Sequence, residues 1–201
     1  MQDALLSALG QGALLLTGNR RLARHWRRAF DNAQLTAGAQ AWPAPAVRAW
    51  QDWVSESIDA LLPDLITPSA FAERRGWHKI IDDGPLLDRQ ATADGASQAW
   101  ALCQQYQLPL QHASFDQAED TAKFRAWAQE FERRAGRNRW LPAARREQWL
   151  TSELPETHRE VWLDGFDETT PAQRALLARL READGLDLSR RPAIVSVRNV
   201  R

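Results

Sequence analysis

Two stretches of this chain leave little freedom in how it can fold. ALLLTGN (13–19) is a short apolar run stopped by Gly18 and Asn19, and EVWLD (160–164) is another, stopped at Asp164 and Gly165. Each leads into a helical pattern. Leu22, Trp26, Ala29 and Phe30 recur on one helical face after the first run, and Leu176, Leu177 and Leu180 do so after the second. Short apolar runs without alternation suit strands covered on both faces, and strands that alternate with amphipathic helices build a parallel sheet.

Composition narrows the class further. With 201 residues, 44% of them hydrophobic, the chain can bury a core in one large domain or two small ones. No apolar run is long enough for a membrane span, and the N-terminus carries Asp3 where a secretory leader has its basic start. A cytoplasmic protein with no membrane partner is therefore expected. Cys103 is the one cysteine, and His25, His78, His112 and His158 stand far apart, so no disulfide framework or metal centre is expected.

The strand grammar repeats within the first 62 residues. A second strand is expected at AQAW (39–42), closed by PAP. A helix over VRAWQDWVSESIDALL follows, with Val47, Trp50, Val54, Ile58 and Leu61 in steps of three and four. The middle of the chain, 63–158, reads as helices alone. One begins at Pro68 and buries Phe71, Trp77 and Ile81; another carries Trp100, Cys103 and Tyr106. SFDQ (114–117) has the form of a capping box ahead of a stripe made by Phe124, Trp127, Phe131 and Ala135, and Pro142 starts a last short helix. After EVWLD, Thr170, Pro171 and Gln173 supply an N-cap, a first-turn proline and a capping-box partner, and Gly185 ends the helix. PAIVSV (192–197) reads as a closing strand, and with no helix after it to cover the sheet a longer protein is expected. The expected architecture is a discontinuous α/β domain (1–62 and 159–201) interrupted by a helical insertion (63–158).

In this order the pieces resemble superfamily 1 DNA helicases. LLLTGNRRLARHW is similar to their motif Ia, the helical middle stands where their 1B subdomain is inserted, and VWLDGFDETTPAQRALL takes the place of motif II, the Walker B segment. The DGF…TP form is closer to the AddB/RexB-type subunits of bacterial recombinational repair nucleases, and to related probable DNA repair proteins that carry a PD-(D/E)XK nuclease toward the C-terminus. The resemblance implies a P-loop NTPase-like parallel sheet, and a role in DNA repair and recombination as part of an exonuclease.

Two departures bear on activity. The chain contains no GxxxxGK(S/T), neither Lys79 nor Lys123 follows a glycine, and few residues precede the first strand. Active helicases of this superfamily place a glutamate after the magnesium-binding aspartate; here Gly165 follows Asp164. Asp164 and Gly165 therefore read as a degenerate Walker B site, with ATP and magnesium not expected as cofactors. Asp164 has two readings, a cap on the turn after its strand or a residual metal contact. No residue is assigned a catalytic role, and any nuclease carboxylates are expected beyond residue 201.

The basic helix carries the candidate interface. In the helicases that it resembles, this turn and helix start contact single-stranded DNA, and the matched positions are Thr17, Asn19 and Arg20. Arg24, Arg27 and Arg28 lie with Arg20 along roughly one side of the helix. The competing reading is a solvated face whose arginines pair with acids. All the basic residues but Lys79 and Lys123 are arginine, a bias that suits phosphate recognition or reflects codon usage. RRAGRNRW (133–140) and AARR (143–146), near Trp140 and Trp149, form a second basic patch. Single-stranded or end DNA is the expected partner. The alternative is an interaction module that docks a helicase or nuclease subunit without touching DNA, a reading to which the ten tryptophans and zero net charge also conform.

Overall fold

A computed structural model describes residues 2–62, 64–81, 88–155 and 160–182. It is an α/β structure, mostly helical, with a small parallel sheet. By internal contacts the chain divides into two units, residues 1–57, 153–169 and 176–201 in the first and 58–152 with 170–175 in the second. The sequence pattern put these boundaries at 62/63 and 158/159. Expectations for Gly185 and for PAIVSV fall outside the described residues.

The first unit holds the sheet. Helix α1 (Gln2–Gly10) precedes strand β1 (Leu14–Thr17), helix α2 (Arg20–Thr36) and strand β2 (Ala46–Ala49). Helix α3 (Trp50–Leu61) begins in this unit. Strand β3 (Val161–Asp164) returns after the second unit, and the sheet order is β2-β1-β3 with both pairings parallel. β1 is central, and Leu15 and Leu16 are fully buried, which is why its run has no polar alternation. One hydrophobic cluster joins Leu5, Leu9, Leu15, Ala23, Trp26, Phe30 and Val47, so α1 and α2 share the core with the sheet.

Two features of this unit depart from the sequence reading. The second strand is not AQAW but Ala46–Ala49, after the two prolines. There Val47 and Ala49 alternate inward with Ala46 and Arg48, and Val47 pairs with Leu15. Val47 and Trp50 are also three residues apart, so over this window a strand period and a helix period fit equally well. The helix consequently starts at Trp50 rather than Val47. Helix α1, the second departure, was not anticipated; its Leu5 and Leu9, four apart, are both buried.

The second unit packs α4 (Ala70–Ile81), α5 (Arg89–Gln105), α6 (Glu119–Arg137) and α7 (Arg146–Glu153). Trp77 stacks on Phe131 with ring centroids 4.4 Å apart, Trp100 meets Phe131 edge-on at 5.0 Å, and these rings centre a cluster with Ile81, Cys103 and Phe115. Phe71, expected in this core, is 73% exposed, and so is Tyr106 at 60%. Each stands six residues from a buried tryptophan, a step that turns a helix by about 240° and so leaves the core face.

SFDQ does not cap a helix. Residues 113–116 form a single 3-10 turn, the Ser114 hydroxyl sits 2.8 Å from His112 Nδ1, and α6 starts at Glu119 without a side-chain cap. The other capping box forms as read. Thr170 N–H donates to Gln173 Oε1 (3.0 Å) and Gln173 N–H to Thr170 Oγ1 (3.2 Å), at the start of α8 (Pro171–Glu182). Among the described residues no helix is long and apolar enough to cross a membrane.

Candidate nucleic-acid interface

In the first unit, Thr17 and Asp164 are register partners at the ends of β1 and β3, and α2 starts beside them. The chain turns here through two glycines that approach closely. Gly18 N–H donates to the Asp164 carbonyl (2.9 Å). A Cβ on Gly18 would lie 2.0 Å from the Gly165 carbonyl oxygen, and Gly165 itself has φ +75°, with a Cβ position 2.5 Å from a Leu22 methyl. Only glycine fits the first position, and the left-handed backbone favours it at the second.

The Asp164 carboxylate is engaged from within the fold. Trp26 Nε1 donates to its Oδ2 at 2.6 Å, and Trp26 is 9% exposed. A helix residue one turn inside the basic segment thus supplies a neutral donor to one oxygen of this carboxylate. Among the described residues no three His, Cys, Asp or Glu side chains converge as metal ligands. Asp167 and Glu168, the carboxylates nearest in sequence, are exposed. These residues do not fit a magnesium-nucleotide group: the single aspartate has an indole on one oxygen, and two backbones touch beside it.

The six residues expected to contact DNA divide by environment. Thr17 is fully buried, and its hydroxyl donates to the Asn19 carbonyl (3.0 Å), with the Arg48 carbonyl also near (3.3 Å). Asn19 is the N-cap of α2, its Oδ1 accepting from Leu22 N–H at 2.9 Å. Arg20 is exposed but clamps Asp52, Nε at 2.9 Å and Nη2 at 2.6 Å from its two oxygens. That hydrogen bond holds the Asp52 carboxyl below its usual range and raises the arginine. Arg27 donates through Nε (3.1 Å) and Nη2 (2.6 Å) to the Val47 carbonyl, which fastens α2 to β2.

Arg24 and Arg28 differ: both are exposed, and neither has a partner among the described residues. Arg21 shares that condition and was missed by sequence reasoning, although its spacing carried the signal. Arg21, Arg24 and Arg28 stand at i, i+3 and i+7, one row along the solvent side of α2, opposite the buried Ala23, Trp26 and Phe30. Arg20 and Arg27 lie at the flank, within reach of Asp52 and β2.

The second basic patch, in the other unit, has most of its arginines gathered on two acids. Arg133, Arg134 and Arg137 all pair with Glu130. Arg145 pairs with Glu132, which also accepts from Trp100 Nε1 at 3.1 Å. Comparison with protein-family models and with curated proteins finds no match to this chain.

Proposed function

We propose that the chain is the helicase-like region of a bacterial DNA repair and recombination exonuclease, with a P-loop NTPase-like sheet and a 1B-like helical insertion. It acts as a DNA-binding scaffold that does not hydrolyse ATP. The observation that carries the reading is the row Arg21, Arg24 and Arg28, three exposed guanidinium groups without acid partners among the described residues. From Arg21 to Arg28 a helix rises about 10 Å, the length of about three nucleotides of a stacked strand. Guanidinium forks hold phosphate oxygens through paired donors. The start of α2 adds backbone N–H groups and the positive end of the helix dipole. The surroundings of Asp164 support the second half of the reading, because one of its oxygens is bonded to an indole and the residue that follows it is glycine rather than a carboxylate.

The test is binding of a labelled single-stranded oligothymidine at low salt, followed by fluorescence anisotropy. R24E/R28E is expected to weaken binding at least about tenfold, while R20A, which breaks an internal ion pair, weakens it less. Equal affinity of wild type and R24E/R28E would overturn the assignment.

A second reading keeps the fold and replaces DNA by a helicase or nuclease subunit. It is favoured by Leu102 (54% exposed), Tyr106 (60%) and Leu108 (37%), large apolar side chains around the end of α5. On that reading the oligothymidine does not bind at low salt.

A further inference from the structure

In the second unit a groove of about 470 Å³ runs between α4 and α6. Ala72, Arg75, Gly76 and Lys79 line it from α4, at the spacing of one helical face; Phe131 and Arg134 face them from α6, and Trp140 closes the floor. Gly76 lets the rings approach: a Cβ there would meet Phe131 at 3.4 Å and the Trp140 ring at 3.5 Å. The floor is aromatic and the rim is cationic. Arg75 and Lys79 are exposed, one turn apart, and without partners among the described residues. Arg134 is bonded to Glu130, which Arg133 and Arg137 also hold, so that cluster keeps an excess of positive charge. No carboxylate lines the groove among the described residues.

We propose that this groove is a stacking subsite for one base of single-stranded nucleic acid, with the half-buried Trp140 against the base, the buried Phe131 ring beneath it, and Arg75 and Lys79 on the flanking phosphates. The inference rests on the nucleic-acid reading above for its ligand class and adds a second contact surface, in a different unit. The lining itself favours a nucleotide over a peptide. A peptide brings amides that need partners, and the facing α4 and α6 backbones spend theirs within the helices. A nucleotide needs a flat apolar face and cations at its phosphates, and both are present. Groove-bound single strands are held in this way, with stacking that tolerates any base.

The experiment uses the whole chain and oligothymidine carrying 5-iodouracil, with photo-crosslinked sites mapped by peptide mass. Affinities of R75A/K79A and W140L are measured beside R21A/R24A/R28A. Adducts are expected on Trp140. W140L is expected to lose about fivefold or more in affinity, and R75A/K79A to lower the slope of log affinity against log salt by about 1.4. Circular dichroism melting controls for misfolding of W140L, and R75A/K79A, both exposed, provides an independent arm. Wild-type affinity and slope in R75A/K79A, with adducts confined to α2, would overturn the subsite while leaving the α2 interface standing. Loss of binding in R75A/K79A with none in R21A/R24A/R28A would do the reverse. Binding of an acidic tryptophan-containing peptide in place of the oligonucleotide would make the groove a protein site and overturn the proposal.

Discussion

Trp26 and Asp164, 138 positions apart in sequence, are joined by a 2.6 Å indole-to-carboxylate hydrogen bond that ties α2 to the end of β3. Hydrogen bonds to charged groups contribute about 1.5–3 kcal/mol, and a carboxylate left without its donor costs a similar amount when water cannot replace it. Trp26→Phe keeps an aromatic ring in the core and removes the donor. We expect it to destabilise the first unit by about 1–3 kcal/mol in urea unfolding. In a double-mutant cycle with Asp164→Ala the two losses should overlap rather than add. Full additivity would mean that the bond contributes nothing. Because no nucleotide is expected at Asp164, Asp164→Asn should leave any thermal shift on adding magnesium and ATP unchanged.

Gly18 and Gly165 make that edge of the sheet possible, and their replacements should differ in severity. Gly18→Ala drives a Cβ to 2.0 Å from a backbone oxygen, so β1 and the turn after β3 must part. Gly165→Ala meets a movable Leu22 methyl and adds a left-handed residue, at about 1–2 kcal/mol. Thermal melts should rank Gly18→Ala well below Gly165→Ala; the opposite order would contradict this packing.

The Arg20–Asp52 pair predicts a pH dependence with a definite sign. Asp52 is depressed by its hydrogen bond to Arg20. Its contribution is therefore complete above the unfolded aspartate range and is lost as pH falls through the lower folded value, below about pH 4. Arg20 is largely exposed, so solvent screening keeps the effect small. Asp52→Asn should melt slightly below wild type at neutral pH, and the difference should vanish in strong acid. A difference that persists in acid would assign the loss to something other than the charge.

The parts of the fold legible in sequence were those fixed by local chemistry. The uninterrupted apolar β1, the VWLD strand and the Thr170–Gln173 box each need only neighbours in sequence to be recognised. The failures came where two local readings coincide. Val47 fits both a strand and a helix start, and Ser114 with Gln117 has the spacing of a box whose helix begins elsewhere. Phe71 looked like core because it is apolar, yet its angular position on α4 points it outward. At the candidate interface, sequence spacing grouped Arg20 and Arg27 with Arg24 and Arg28. Their separation depends on Asp52 and the Val47 carbonyl, partners brought in by β2 and α3 and invisible to the pattern of α2 alone. The Trp26–Asp164 bond was likewise beyond reach, since it joins the two ends of a discontinuous unit.

The most direct measurement is the salt dependence of single-stranded oligothymidine binding by wild type and R21A/R24A/R28A. Removing three arginines from the phosphates of a single strand should reduce the slope of log affinity against log salt by about 2, with affinity lowered at every salt concentration and the melting temperature nearly unchanged. A triple variant that binds with the wild-type slope and affinity, or a wild type that does not bind at low salt, would contradict the account.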